Sequence, residues 1–352
     1  MVTEFTKNLL DWNQDKNTRV MPWKGESDPY RIWLSEIILQ QTRVQQGLAY
    51  YNRFITVFPT ITDLANAPEQ EIFKYWEGLG YYSRCRNLIS TARKIAFEHD
   101  GHFPSTYETI LELPGVGPYT AAAIASFAFQ LPHAVVDGNV ERVLARYFGL
   151  NTPTGSAAAK KLFKELAGNL LDKSSPGLFN QAIMDFGATI CKPQNPLCDE
   201  CVQAADCLAF QNGWTRTLPV KLAAPVRKRR WFTYFIIDAG NNETWIRRRI
   251  EKDIWRDLYE FVLLESGQFI PQEDLASSSF LQGQFGNQPF QINYTSPPFK
   301  QTLTHQLITG SFVHLSPVPG EIEGYHRVAR SALKQFPFPR VIANYLNSLP
   351  DF

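Results

Sequence analysis

Four cysteines, Cys191, Cys198, Cys201 and Cys207, fall in the pattern Cys-x6-Cys-x2-Cys-x5-Cys, and Cys85 stands alone far upstream. So tight a set in an intracellular chain argues for metal rather than disulfides. Four thiolates on one short loop can wrap an iron–sulfur cluster. They can also hold zinc, although many such zinc sites use two Cys-x2-Cys pairs and only one is present. A second kind of chemistry is suggested by two carboxylates. Glu36 lies among Ile32, Trp33, Ile37, Ile38 and Leu39. Glutamate is rarely buried without a reason. Apolar surroundings raise a carboxyl pKa, which lets the acid keep its proton near neutral pH and donate it. A solvated place on an amphipathic helix is the competing reading. Asp137 heads the run Asp137-Gly138-Asn139-Val140 behind Val135 and Val136. It can cap a helix there, and the helix dipole would stabilise its anion. Between the two acids lies Leu113-Pro114-Gly115-Val116-Gly117-Pro118-Tyr119-Thr120. Its glycines allow a tight turn, and the helix start that follows is a ready anion site. A DNA phosphate gripped without base reading fits it; an ordinary turn between helices fits it too.

The elements that must position these groups differ along the chain. Helices are expected over Tyr30–Gly47, Asp63–Gly78, Ser83–Glu98, Thr120–Phe129, Asn139–Phe148, Gly155–Leu171 and Gly177–Thr189. In the fifth, apolar residues at 140, 143, 144 and 147 form one helix face, closed by Gly149. After Trp214 the texture changes to short β-branched and aromatic runs. Trp231–Asp238, Thr244–Arg248, Phe290–Tyr294 and Thr309–Leu315 read as strands, with one helix at Ala329–Leu333. From Asn212 to Trp231 there are six basic residues, Arg216, Lys221 and Arg227 to Arg230, and no acid. That stretch suits a solvated linker or a phosphate contact. At 352 residues and net charge +1 the chain is long enough for two or three domains. No apolar run approaches the roughly 20 residues that span a bilayer. The start, Met1 to Asn17, is too polar for a signal peptide. The expectation is a soluble intracellular protein, and no internal repeat is visible.

Residues 113–120 resemble the helix-hairpin-helix motif of the DNA glycosylase superfamily, and Asp137 stands where that superfamily has its essential aspartate. The cysteine spacing resembles the [4Fe-4S] loop of the endonuclease III and MutY branch, with Lys192 near phosphates. Trp33–Thr42 resembles the MutY helix that carries the catalytic glutamate, here Glu36. Tyr119 occupies the place where lyase-active relatives carry a Schiff-base lysine, so little or no strand nicking is implied. Gly78–Arg84 resembles the wedge loop, with Tyr81 as the intercalating residue and Leu79 and Gln41 beside it. The C-terminal part resembles the MutY Nudix-like module at Trp255–Phe261 and Thr302–His305. There Leu303-Thr304 replaces the usual Phe-Ser before the histidine. A hydroxyl that can contact 8-oxoguanine is kept and the aromatic ring is lost. The Glu-rich catalytic helix of Nudix enzymes is absent, so no pyrophosphohydrolase activity is expected.

The resemblance implies a mostly α helix-hairpin-helix glycosylase fold with a [4Fe-4S] loop, followed by an α+β Nudix-like domain. Its divisions are 1–212 for the helical part, 213–230 for a basic linker and 231–352 for 8-oxoguanine recognition. Within 1–212, a six-helix module covers about 29–135, and an iron–sulfur module covers 1–28 with 136–212. The implied activity is a monofunctional adenine DNA glycosylase of base excision repair. It would hydrolyse the N-glycosidic bond of adenine opposite 8-oxoguanine or guanine and leave an abasic site. Glu36, Asp137, Tyr119 and Asn139 would be catalytic, Cys191, Cys198, Cys201 and Cys207 would hold the cluster, and Trp23 and Gln181 would flank the adenine. DNA contacts would come from Gln41, Thr42, Leu79, Tyr81, Gly115, Gly117, Thr304 and His305. The implied partner is double-stranded DNA bearing such mispairs, bound by a monomer in a bacterial cytoplasm at the nucleoid. A processivity clamp or mismatch-repair partner follows by analogy alone, and no membrane is involved.

Overall fold

The computed structural model describes residues 2–222, 226–285, 290–316 and 320–349. Residues 223–225 of the expected linker and 350–352 of the expected last domain lie outside the described residues. Contacts divide the chain into one unit of Met1–Ala67 with Arg86–Ala223, and a second of Pro68–Cys85 with Ala224–Phe352. The basic stretch 213–230 thus straddles the division, and the short piece Pro68–Cys85 groups with the C-terminal half. Among the described residues no helix is long and apolar enough to cross a membrane.

The principal helices in chain order are α1 (Glu4–Asp15), α2 (Pro29–Leu39), α3 (Val44–Val57), α4 (Ile61–Asn66), α5 (Glu69–Trp76) and α6 (Tyr82–Glu98). Then come α7 (Tyr107–Leu111), α8 (Pro118–Phe129), α9 (Gly138–Tyr147), α10 (Ala157–Leu170), α11 (Pro176–Thr189) and α12 (Leu208–Gln211). The expected Tyr30–Gly47 helix is two helices. Gln41 takes the left-handed backbone at φ 54° and breaks the run between α2 and α3, with no Gly or Pro to announce it. The expected Asp63–Gly78 helix is also two, parted at Ala67-Pro68, where proline lacks the N–H to continue α4. The remaining expected helices of this half are observed within a residue or two of their expected ends.

Two helices fix the positions of Glu36 and Tyr119. In α2 every residue from Ile32 to Ile38 is buried, so this stretch has no solvated face to offer Glu36. It starts on Asp28, whose side chain caps Tyr30 N, with Pro29 in the first turn. It packs against α8, whose run Thr120–Ser126 is wholly buried and mostly alanine, which lets the two backbones approach closely. A core around Phe163, Phe179, Ile183 and Phe186 packs α9, α10 and α11 against Phe5, Leu9 and Trp12 of α1 and takes in Ala122 and Ala123 of α8.

The second unit is α+β. Strands β1 (Lys228–Ile237), β4 (Val262–Ser266), β5 (Ile292–Thr295), β6 (Phe299–Thr302) and β7 (Gln306–Leu315) form one sheet. Its central pair, β1 and β7, is parallel, and the flanking pairings are antiparallel. Gly310 sits where the strands crowd, and a Cβ there would collide with Phe232 O. A smaller sheet joins β3 (Tyr259–Glu260), β2 (Glu243–Arg248) and β8 (His326–Ala329). Helices α13 (Gln272–Ala276), α14 (Ser279–Phe285) and α15 (Arg340–Ser348) complete the unit. The helix expected at Ala329–Leu333 is a 3-10 turn over Arg330–Gln335. The real helix, α15, starts after Pro339, which suits a helix entry but gave no pattern strong enough to expect it.

Candidate active site

A cleft of about 990 Å³ opens in the first unit, and both carboxylates line it together with Tyr119 and Asn139. Glu36 is 8% exposed on the last full turn of α2. Burial pushes its carboxyl up to about 7; a hydrogen bond from Tyr119 pulls the other way, and the Asp137 charge adds to the rise. The solvated alternative for Glu36 is therefore not the one observed. Tyr119 comes from the first turn of α8, directly after the hairpin. Burial holds its phenol well above the usual value, and Glu36 and Asp137 push in the same direction. It stays a neutral donor over the working range.

Asp137 is the N-cap of α9, as its sequence context suggested. Its Oδ1 accepts from Asn139 N at 2.9 Å and Val140 N at 2.8 Å, and its Oδ2 accepts from Asn139 Nδ2 at 2.7 Å. Burial raises this carboxyl, while those bonds oppose the rise. Three donors leave the carboxylate one fixed orientation, with its charge kept at the cleft wall. Arg142 reinforces the arrangement from one turn later in α9. It donates to Asn139 Oδ1 at 2.9 Å, to Gly187 O at 2.6 Å and to Cys191 O at 2.7 Å.

The hairpin glycines differ from each other. Gly115 has φ 74°, and a Cβ there would meet Asn87 Nδ2 at 2.5 Å, so both torsion and space demand glycine. Gly117 has φ −94° as N-cap of α8, an ordinary value, and nothing lies within 4 Å of where its Cβ would stand. The turn needs only the first glycine. Both line the cleft, as do Gln41, Thr42, Trp23 and Gln181. Trp23 packs edge-on to Tyr51 at 5.3 Å between ring centres.

The remaining DNA-contact candidates, Leu79, Tyr81, Thr304 and His305, lie in the second unit. Leu79 is buried at 6% exposure, whereas Tyr81 is exposed and held at φ 49°. Thr304 and His305 are exposed on the turn between β6 and β7. The Tyr81 hydroxyl and Thr304 Oγ1 are 3.0 Å apart.

Sequence reasoning missed Arg19, Lys24 and Asp185. Asp185 is fully buried on α11 and meets Arg19 Nη1 at 2.7 Å and Lys24 Nζ at 3.1 Å. Gln181 Nε2 donates to its Oδ1 at 3.0 Å, which sets the amide facing the cleft. An acid between Met184 and Phe186 was the available signal. Arg142 and Arg146 were missed as well; arginines four apart on one helix, beside its apolar face, were theirs.

Cys191, Cys198, Cys201 and Cys207 line one small pocket with Ile190, Leu197 and Phe210. None is in a disulfide. Burial pushes the Cys201 thiol up to about 12, with the other three thiols adding to the rise. Arg146 Nη1 lies 3.4 Å from Cys191 Sγ and 2.7 Å from Lys192 O. Four thiols facing one cavity beside a guanidinium are a donor set that suits a large, thiolate-bound group carrying net negative charge. Among the described residues, no three His, Cys, Asp or Glu side chains come together as a group for a single metal ion. Cys85 is buried on α6, apart from this set.

Residues 34–167 match the helix-hairpin-helix (HhH-GPD) superfamily of base excision DNA repair proteins, and residues 233–348 match the NUDIX domain. An adenine DNA glycosylase of Buchnera aphidicola subsp. Baizongia pistaciae is 35% identical over 78% of this chain and 76% of its own length. The chain belongs to the adenine DNA glycosylase family. The rat adenine DNA glycosylase is 47% identical over 60% of this chain, but the match spans only 42% of that longer protein. Among solved structures, a thermostable thymine-DNA glycosylase superposes with TM-score 0.53 at 33% identity, covering 59% of this chain and 95% of its own. An endonuclease III–DNA complex superposes at TM-score 0.51 and 21% identity over 60% of this chain and 99% of its own, a likeness of fold alone. The helical glycosylase fold and the Nudix-like α+β fold are thus both present in this family member, in the expected order.

Proposed function

We propose that the protein is a monofunctional adenine DNA glycosylase that removes adenine paired with 8-oxoguanine or guanine. The observation that carries this is the meeting of Glu36, Tyr119 and Asp137 in one cleft, with Glu36 buried and both acids within electrostatic range of Tyr119. Flipping the nucleotide costs a few kcal/mol, least at a mispair. Glu36, protonated near neutral pH, gives its proton to adenine N7, so the base departs neutral as the C1′–N9 bond breaks. Asp137 faces the cationic sugar and stabilises or traps it, as in the two-carboxylate chemistry of glycosidases. Glu36, now ionised, takes a proton from the attacking water. Tyr119 orients Glu36, and Asn139 orients Asp137. Position 119 offers a phenol rather than the amine that a Schiff base needs, and Lys24, which also lines the cleft, is held by Asp185 at 3.1 Å.

Thr304 would read 8-oxoguanine with its hydroxyl, and Tyr81 would enter the stack. The hairpin at Gly115 and Gly117 would hold a phosphate. Cys191, Cys198, Cys201 and Cys207 would hold a [4Fe-4S] cluster, which would tie the loop together beside α9. A single-turnover assay on duplexes with A·8-oxoguanine, A·G and G·T, followed by alkali, tests the reading. Alkali-dependent cleavage at the adenine strand is expected, with no borohydride-trapped adduct. Excision of thymine in place of adenine, or strand breaks without alkali, would overturn it.

A further inference from the structure

The wedge loop is built into the C-terminal unit by a clamp at its root. Lys74, on the last turn of α5, donates to both Glu77 carboxylate oxygens at 3.0 Å and to Phe336 O at 3.1 Å. Glu77 Oε2 accepts from Phe338 N at 2.8 Å. The segment they grip is itself pinned to β3 and its neighbour. Tyr259 N donates to Pro337 O at 2.9 Å, Phe336 meets Tyr259 edge-on at 4.7 Å, and Phe338 stacks on Phe261 at 5.8 Å.

Glu77 directly precedes Gly78, Leu79, Gly80 and Tyr81, of which Gly78, Gly80 and Tyr81 have φ of 92°, 75° and 49°. Trp76 Nε1 donates to Gly80 O at 3.0 Å, which closes the loop on its own root. A loop so constrained transmits the placement of its root to its tip. The tip is Tyr81, whose hydroxyl meets Thr304 Oγ1. We infer that Lys74 and Glu77 are positioning residues that hold Tyr81 in register with Thr304, and so help to set the preference for 8-oxoguanine over guanine opposite adenine. This rests on the lesion-reading role proposed for Thr304. Neither residue needs to touch the DNA for the effect.

Single-turnover excision rates on A·8-oxoguanine and A·G duplexes, measured with the full chain, test the clamp. Glu77→Leu should cut the ratio of the two rates about three- to tenfold, the scale of one lost hydrogen bond, with the A·G rate within about twofold of wild type. Glu77→Gln should restore most of the ratio, because its amide oxygen still accepts from Phe338 N. Lys74→Met should lower the ratio to the same extent, and it carries the test if Glu77→Leu fails to fold. Joined with Thr304→Val, Glu77→Leu should lower the ratio no further than Thr304→Val does alone. Losses that multiply, no rescue by glutamine, or an unchanged ratio in both Glu77→Leu and Lys74→Met would overturn the clamp. An unchanged ratio in Thr304→Val would instead remove the lesion-reading role, a separate failure.

Discussion

The cleft and the β6–β7 turn handle their functional groups in opposite ways. In the cleft, Glu36 sits in a helical stretch with no wet face, and Asp137 is held by three donors. On the turn, Thr304 and His305 are exposed, and Thr304 has one hydroxyl contact, with Tyr81. Chemistry that must move a proton needs groups whose charge is set before the substrate arrives. Recognition of an opposite base can be completed by the DNA itself. Substitutions in the cleft should therefore destroy rate, and those on the turn should erode selectivity.

The largest effect tests the first half of that contrast. Glu36→Gln and Asp137→Asn should each lower the single-turnover rate by about a thousandfold or more, since acid–base catalysis alone is worth roughly 10²–10⁴. A rate within about threefold of wild type for Glu36→Gln would return Glu36 to a structural part. Next comes pH. With the Glu36 carboxyl near 7, the excision rate should fall about tenfold per unit as pH rises beyond that point. Folding stability carries the same sign. Between 4.5 and about 7 the native protein holds a proton that the unfolded chain has released, so stability declines as pH rises through that window. Glu36→Gln should flatten this dependence in a denaturant titration.

Gly115→Ala joins the strained backbone to a clash with Asn87 and should cost about 1–3 kcal/mol of stability. Its affinity for undamaged duplex should fall too, whereas Gly117→Ala should leave the melting temperature nearly unchanged. Equal melting losses for the two would erase the difference drawn between them. The smallest effect belongs to the turn. Thr304→Val should lower the preference for A·8-oxoguanine over A·G about three- to tenfold, the scale of one hydrogen bond.

Legibility in the sequence followed the same divide. Glu36, Tyr119, Asp137 and the four cysteines stand in local runs whose types and spacing are distinctive, and the structure brings the first three to one cleft. Helix breaks were harder to read. Gln41 turns left-handed in a stretch with no glycine or proline, a choice made by tertiary packing rather than local propensity. The pairing of Asp185 was hidden for another reason. Its cations come from Arg19 and Lys24, more than 150 residues away in sequence, so no local pattern could pair them. In the C-terminal half β1, β2, β5 and β7 were legible, whereas two-residue β3 and the short β4, β6 and β8 lack the β-branched runs that mark a strand.

That distant pairing has a practical corollary. Arg19 and Lys24 are both trypsin targets, and both side chains are fastened to a carboxylate with no solvent exposure. Between them, Val20 is 88% exposed, so the protease can reach this segment but finds it tethered on both sides. Cutting at these two bonds should thus keep time with loosening of the cleft floor, and ligands that fill the cleft should slow it.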